Sequence, residues 1–133
     1  MSSKCDTFAE ILMAEKSDNP GGVCLVQRMR DDIQVEVLGR ITHSPTVLLA
    51  MFSYEDVDNN GNALCLGEFL FKQTEVRTFL NTLLSNHDIR VTAIHNHWLF
   101  DNPRLIYIHW EAIMEPLKFA KISAHALDMA IGM

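Results

Sequence analysis

Two spacings of apolar residues recur along this chain, and together they predict its secondary structure. Apolar positions three and four residues apart are typical of amphipathic helices, and they occur in residues 6–15, 74–86 and 116–131. Alternating or continuous apolar runs are typical of strands, and they occur in residues 23–29, 33–41, 46–54, 63–71, 89–99 and 105–112. The predicted order is helix, four strands, helix, two strands, helix.

The connections between these segments predict an antiparallel sheet. The polar turn Arg30-Asp31-Asp32 separates the first two strands and indicates a hairpin. Residues 46–54 carry apolar side chains at successive positions, so we expect a central strand covered on both faces, with residues 63–71 as its partner. We therefore predict one α+β domain over residues 1–133: an antiparallel sheet of about six strands in hairpins, with helices packed on one face.

Composition and charge narrow the class of protein. The 133 residues are 48% hydrophobic, which is enough for one core without a structural metal. The net charge of −6 comes without any cluster of Lys and Arg, so we expect no nucleic-acid partner. No apolar stretch approaches the roughly 18 residues of a membrane span, and residues 1–20 lack the pattern of a secretory leader. We expect a cytoplasmic protein with no membrane partner.

The cysteines also fit a cytoplasmic protein. Cys5, Cys24 and Cys65 are odd in number and show no CxxC spacing. This pattern argues against a disulfide framework and against a thiolate zinc site. We expect reduced, mostly buried thiols.

The most informative segment is the hairpin that contains His95, His97 and His109. Side chains alternate along a strand, so His95 and His97 share a face. If odd-numbered residues pair with odd-numbered residues across the hairpin, His109, Tyr107 and Glu111 lie on that same face, and the opposite face is apolar. Three imidazoles beside a carboxylate are suitable ligands for zinc or another divalent metal. A polar sheet face without a ligand remains the alternative.

Four further residues are candidates for a site. Glu68 interrupts the apolar positions of its strand, which suggests a fourth ligand or a general base, or else a charge that protects a strand edge. Glu75 is a second candidate base, although an acidic residue in the first turn of a helix is also favoured by the helix dipole. Arg104 could bind an anionic ligand or pair with Asp101, and Tyr107 could contact a ligand beside the histidines.

At these residues the sequence resembles a known family. The segment Thr92-Ala93-Ile94-His95-Asn96-His97, followed by Pro103-Arg104 and Ile108-His109, resembles the LppY/LpqO-type family, catalogued as domain of unknown function 1259. The upstream Gly67-Glu68-Phe69 and Glu75 are similar to the Gly-Asp-Phe and the acidic helix start of that family. The chain differs in having Glu at position 68, and from the pattern of residues 1–20 we expect it to differ also in having no secretory signal.

The resemblance implies a shared histidine site and a particular assembly, but it names no activity. Many members of the family contain two copies of the domain, whereas this chain has room for one, so the resemblance implies a homodimer. Three functions remain open: a domain that binds a divalent metal or small polar ligand, a metal-dependent hydrolase or lyase acting on a small molecule, and a metal-free dimeric interaction module.

Overall fold

The computed structural model describes residues 3–17 and 21–132, so the predicted break at residues 19–22 lies partly outside the described residues. The helices are α1 (Lys4–Ile11), α2 (Pro45–Leu48), α3 (Gln73–Leu83) and α4 (Pro116–Ile131). The strands are β1 (Glu15–Lys16), β2 (Cys24–Met29), β3 (Val35–Val37), β4 (Arg40–Thr42), β5 (Leu49–Glu55), β6 (Ala63–Lys72), β7 (Arg90–His95), β8 (Asp101–Asn102) and β9 (Leu105–Met114).

The predicted antiparallel sheet is confirmed. Within the described residues, six strands form one sheet in the order β1-β2-β5-β6-β9-β7, and every neighbouring pair is antiparallel. The longest ladder joins β6 to β9, from Ala63 opposite Met114 to Lys72 opposite Leu105. This ladder is the rigid frame on which the histidine hairpin is built.

One face of the large sheet packs under helices. A row of paired residues, Val26, Phe52, Gly67 and Trp110, crosses four strands on this face, and all but Gly67 are at most 1% exposed. The Trp110 indole donates a hydrogen bond from Nε1 to Ser123 Oγ of α4 at 3.0 Å, and its ring centroid lies 5.0 Å from that of Phe79 in α3. The mixed α+β class is therefore confirmed.

Residues 46–54 differ from the predicted strand. Strand β5 is central, but its buried and half-buried residues alternate, so most of its length is covered on one face. The segment before it forms α2, which begins at Pro45 after the N-cap Ser44. Proline suits a first helical turn because its missing N–H has no partner there.

The predicted hairpin of residues 23–29 with residues 33–41 is wrong. Strand β3 pairs with β4 and β8 in a separate three-stranded sheet instead of with β2. Residues 33–41 do not form one strand because Leu38 and Gly39, with φ of 53° and 77°, turn the chain back on itself. Two successive positive φ values are the backbone of a tight hairpin turn.

Local hydrogen bonding shifts the helix ends from their predicted positions. Helix α1 begins at Lys4 because Ser3 Oγ accepts from the Asp6 N–H at 3.1 Å while Asp6 accepts from the Ser3 N–H at 3.0 Å. Helix α3 begins at Gln73, one residue before the predicted range of 74–86, and Glu75 accepts from the Lys72 N–H at 2.7 Å. Among the described residues, no helix is both long and apolar enough to cross a bilayer.

The expectation of reduced cysteines is wrong for two of the three. Cys5 and Cys24 form a disulfide that joins α1 to β2, whereas Cys65 is a buried free thiol, and burial raises its pKa to about 11. Sequence spacing could not reveal this pair, because a disulfide requires proximity in space. Disulfides persist mainly in oxidising compartments, so the cytoplasmic expectation is not carried forward.

Candidate metal site

The histidine face depends on the register between β7 and β9. Residues Ala93, Ile94 and His95 lie opposite His109, Ile108 and Tyr107, so odd-numbered residues face odd-numbered residues, as predicted. Closer to the start of β7 the register is shifted by one residue, and the irregularity lies between Val91 and Ala93. Without this bulge at Thr92, His95 would point to the opposite face of the strand.

Three imidazoles meet on this face. His95 Nε2 lies 3.1 Å from His109 Nε2, and the ring centroids of His95 and His97 are 4.7 Å apart. One ligand atom from each of the three histidines lies within 4.8 Å of the others. His95 and His97 are exposed and His109 is half-buried, so the nitrogens are accessible from solvent.

Glu68 supports His109 from the neighbouring strand. The two residues are direct partners in the β6–β9 ladder, and Glu68 Oε2 lies 3.3 Å from His109 Nδ1. A carboxylate at Nδ1 favours the tautomer with its proton on that nitrogen, which leaves the Nε2 lone pair directed at the other histidines. The face of the sheet that carries Glu68 is open at this position, and the Glu68 side chain is 28% exposed.

Tyr107 serves as a support under the histidines. Its hydroxyl donates to the Val47 carbonyl at 2.6 Å, and burial raises the pKa of this phenol to about 12. The His97 ring stacks on the Tyr107 ring with centroids 3.7 Å apart and planes 2° apart. The predicted ligand contact of Tyr107 is therefore replaced by a structural one, since the ring is 1% exposed and the hydroxyl is already bonded.

The pKa of His97 is also shifted. Partial burial, together with the nearby His95 and His109, lowers the pKa of His97, while Glu68 opposes this effect. A lowered pKa favours the neutral imidazole, which is the form that binds a metal.

Glu75 is engaged elsewhere. Both of its oxygens accept from the Arg30 guanidinium at 2.7 Å, and Arg30, which is 1% exposed, also donates to the Leu70 carbonyl at 3.0 Å. Burial raises the pKa of Glu75, but the hydrogen bonds from Arg30 and Lys72 outweigh it and lower the pKa overall. The geometry thus makes Glu75 a structural partner of a buried arginine and argues against a role as base.

Arg104 pairs with Asp101, which is one of its two predicted contacts. Its Nε lies 2.8 Å from Asp101 Oδ1, and its Nη2 donates to the Leu99 carbonyl at 3.0 Å. The Asp101 side chain is buried and accepts from the Leu105 N–H at 2.9 Å. These bonds close the loop between β7 and β9, so Arg104 orders the segment that carries His97.

The sequence reasoning missed two contributors to the site. One is the bulge at Thr92, for which the sequence gives no signal, and the other is the hydrogen bond that Asp101 accepts from the Leu105 N–H. The Asp101-Asn102-Pro103 run could have indicated a turn anchored by an acidic side chain.

A groove lies beside the histidines on the open face of the sheet. It has a volume of about 270 Å³, and His109 and Glu68 form one end of it. The residues that line it include the apolar Leu25, Met51 and Leu66. His109 therefore borders both the histidine cluster and the groove.

Comparison with known proteins gives one match. A family model matches residues 6–129, and its description is Domain of Unknown Function (DUF1259). No curated protein and no solved structure matches the chain. The match therefore indicates common ancestry with this family, and its description names no activity.

Proposed function

Because the chain belongs to the family described as Domain of Unknown Function (DUF1259), whose description names no activity, we propose a function from the histidine site itself. The domain binds a divalent metal ion through His95, His97 and His109, and zinc is the first candidate. The observation that carries the proposal is the convergence of three imidazoles with a carboxylate behind one of them.

The distances in the cluster fit this chemistry. Zinc–nitrogen bonds of about 2.0–2.1 Å in a tetrahedral arrangement separate two ligand nitrogens by about 3.3 Å. His95 Nε2 and His109 Nε2 are already 3.1 Å apart, close to this separation. The ligand atom of His97 lies within 4.8 Å of those of His95 and His109.

Glu68 has a distinct part in this proposal. Carboxylates that accept from the second nitrogen of a histidine fix its orientation and raise its basicity as a ligand. The contact between Glu68 and His109 Nδ1 supports that role, and it leaves Glu68 outside the three-ligand set.

Elemental analysis of the purified protein tests the proposal. We expect near-stoichiometric metal after dialysis against zinc, and loss of that metal in the His95→Ala/His97→Ala double variant. His125→Ala is the matched control, since this exposed histidine lies on α4, away from the hairpin, and should leave the metal content unchanged. Equal metal content in the double variant and the control would contradict the proposal.

A catalytic role is the second candidate, and one feature favours it. Three protein ligands leave a fourth position on zinc for water or substrate, which is the arrangement of catalytic sites. A hydrolase or lyase acting on a small molecule would use that position. Turnover of ester, amide or phosphate substrates by the zinc-loaded protein, absent in the His95→Ala/His97→Ala variant, tests this role. A zinc-loaded protein inert to all three classes would support binding alone.

We also propose that the chain forms a homodimer. Leu38, Leu99 and Phe100 are 75%, 76% and 69% exposed, and the Leu38 N–H donates to the Phe100 carbonyl at 3.1 Å, which brings the two loops together. An apolar cluster of this kind is favourable at a contact between subunits. Light scattering should give a dimer mass that falls in a Phe100→Ser variant. A monomer mass at every concentration would contradict this proposal.

A further inference from the structure

The groove beside the histidines is lined mainly by apolar groups. Leu25, Met51 and Leu66 supply its apolar surface, and Leu66 is 39% exposed although it is a large apolar residue. Ser53 and Thr92 supply hydroxyl groups at the sides. Exposed apolar side chains in a concavity favour an apolar group of a ligand, because that group leaves water when it binds.

The groove lies next to the position of the proposed metal ion. In the register of the sheet, Met51, Glu68 and His109 form one row across three strands, and Leu25, Ser53 and Leu66 form the next row. The two rows are two residues apart along the strands, or roughly 7 Å, so the apolar row lies within reach of the chain of a ligand coordinated at His109.

The net charge at the proposed metal ion favours one kind of polar group on such a ligand. Three neutral imidazoles leave a divalent ion with its full charge, and among the described residues that line the groove Glu68 is the one acidic side chain and no Lys or Arg is present. The metal and Glu68 together carry one net positive charge. A ligand with a single negative oxygen group balances that charge, whereas a dianion such as a phosphate monoester lacks a second cation.

We propose that the ligand of this site is a small monoanion, such as a carboxylate, whose oxygen binds the metal and whose short apolar chain lies in the groove of Leu25, Met51 and Leu66. The inference rests on the proposed metal site and goes beyond it by naming the chemical class of the ligand. The volume of about 270 Å³ is at the lower end for ligand pockets, so the chain is short.

Binding of a homologous series to the metal-loaded protein tests this inference. The protein is loaded with cobalt(II), whose visible spectrum reports a new ligand, and is titrated with acetate, butanoate and hexanoate. Each methylene group should tighten binding by about twofold if it is half buried and by about fourfold if it is fully buried. Methylphosphate at the same pH should bind more weakly than butanoate.

Variants on the open face identify the groove as the location. Leu66→Ser and, independently, Met51→Ser should reduce the preference for hexanoate over acetate, while both variants keep their cobalt. Ile113→Ser is the matched control, because this residue is 64% exposed, on the same sheet face as Leu66, and outside the groove.

Each outcome separates this inference from the function on which it rests. A protein that binds no metal overturns both proposals. A cobalt-loaded protein with equal affinity for the three carboxylates overturns this inference alone, as does a chain-length preference that both groove variants retain. Self-association weakened by Leu66→Ser, together with a flat carboxylate series, would assign the groove to a second copy of the chain and also overturn it.

Discussion

Gly67→Ala is expected to destabilise the fold, because a methyl group at this position meets the Trp110 indole. A Cβ built on Gly67 lies 2.5 Å from Trp110 Cε2 and 2.8 Å from Cζ2 and Nε1. Carbon atoms in contact prefer about 3.5–4.0 Å, so one of the two groups must move by roughly 1 Å. Gly67 is followed by Glu68 and Trp110 is preceded by His109, so the clash lies directly behind the candidate site.

The indole has little freedom to move. Its Nε1 is held by Ser123, and its ring lies against Phe52 and Phe79 with centroids 6.0 and 5.0 Å away. Overpacking of this kind costs about 1–3 kcal/mol, and loss of the indole hydrogen bond adds about 1 kcal/mol. Alanine also lowers the conformational entropy of the unfolded chain, which offsets about 0.5–1 kcal/mol of this destabilisation. We expect a net loss of about 2 kcal/mol, or roughly 6–10 °C in Tm.

Urea unfolding followed by circular dichroism measures this loss. Trp110→Phe supplies the control, because a smaller ring makes room for the new methyl group. The cost of Gly67→Ala should then fall by at least about 1 kcal/mol in the Trp110→Phe background, giving a clear coupling energy in a double-mutant cycle. A Gly67→Ala protein as stable as the parent, or costs that simply add, would refute the argument.

Three further predictions concern the site and its supports. Glu68→Gln should weaken zinc binding by about 10- to 100-fold without abolishing it, as measured by chelator competition; complete loss would instead make Glu68 a ligand. Glu75→Gln should lower the free energy of unfolding by about 2–3 kcal/mol at neutral pH, because it removes the charged partner of the buried Arg30. The loss is limited because Arg30 keeps its contact with Asp32. Because the pKa of Glu75 is lowered from 4.5 in the folded state, this stabilisation is present above pH 4.5 and should disappear as acid protonates the carboxylate; a difference that persists at pH 2 would contradict this origin. Cys24→Ser, which removes a disulfide spanning 19 residues, should cost about 3 kcal/mol in thermal or urea unfolding, and an unchanged stability would indicate that the bond with Cys5 does not form in solution.

Local pattern was enough to predict the large sheet and the gathering of the histidines. Alternation along β9 assigns Trp110 to one face and His109 to the other, and this assignment follows from strand geometry without knowledge of any partner. The convergence of His95 with His109 needed one assumption, that the hairpin pairs odd with odd. The structure confirms this pairing for residues 93–95. It results from a bulge that no sequence pattern predicts.

The errors share one physical cause, which is dependence on contacts distant in the chain. Glu75 has a good local explanation at a helix start, yet its real partner, Arg30, lies 45 residues away. Residues 33–41 have the composition of a strand, but Leu38 and Gly39 turn within them and the partner of β3 comes from the loop before β9.

The sequence by itself determined helices α1, α3 and α4, most strands of the large sheet and the residues able to hold a metal, because these follow from side-chain chemistry and from the periodicity of helices and strands. Tertiary structure alone decided which cysteines join, that Tyr107 supports the site, and that the face bearing Glu68 is open and forms a groove beside His109. Those features depend on how separate strands and helices come together in space, and residue order does not encode distances between segments in any local pattern.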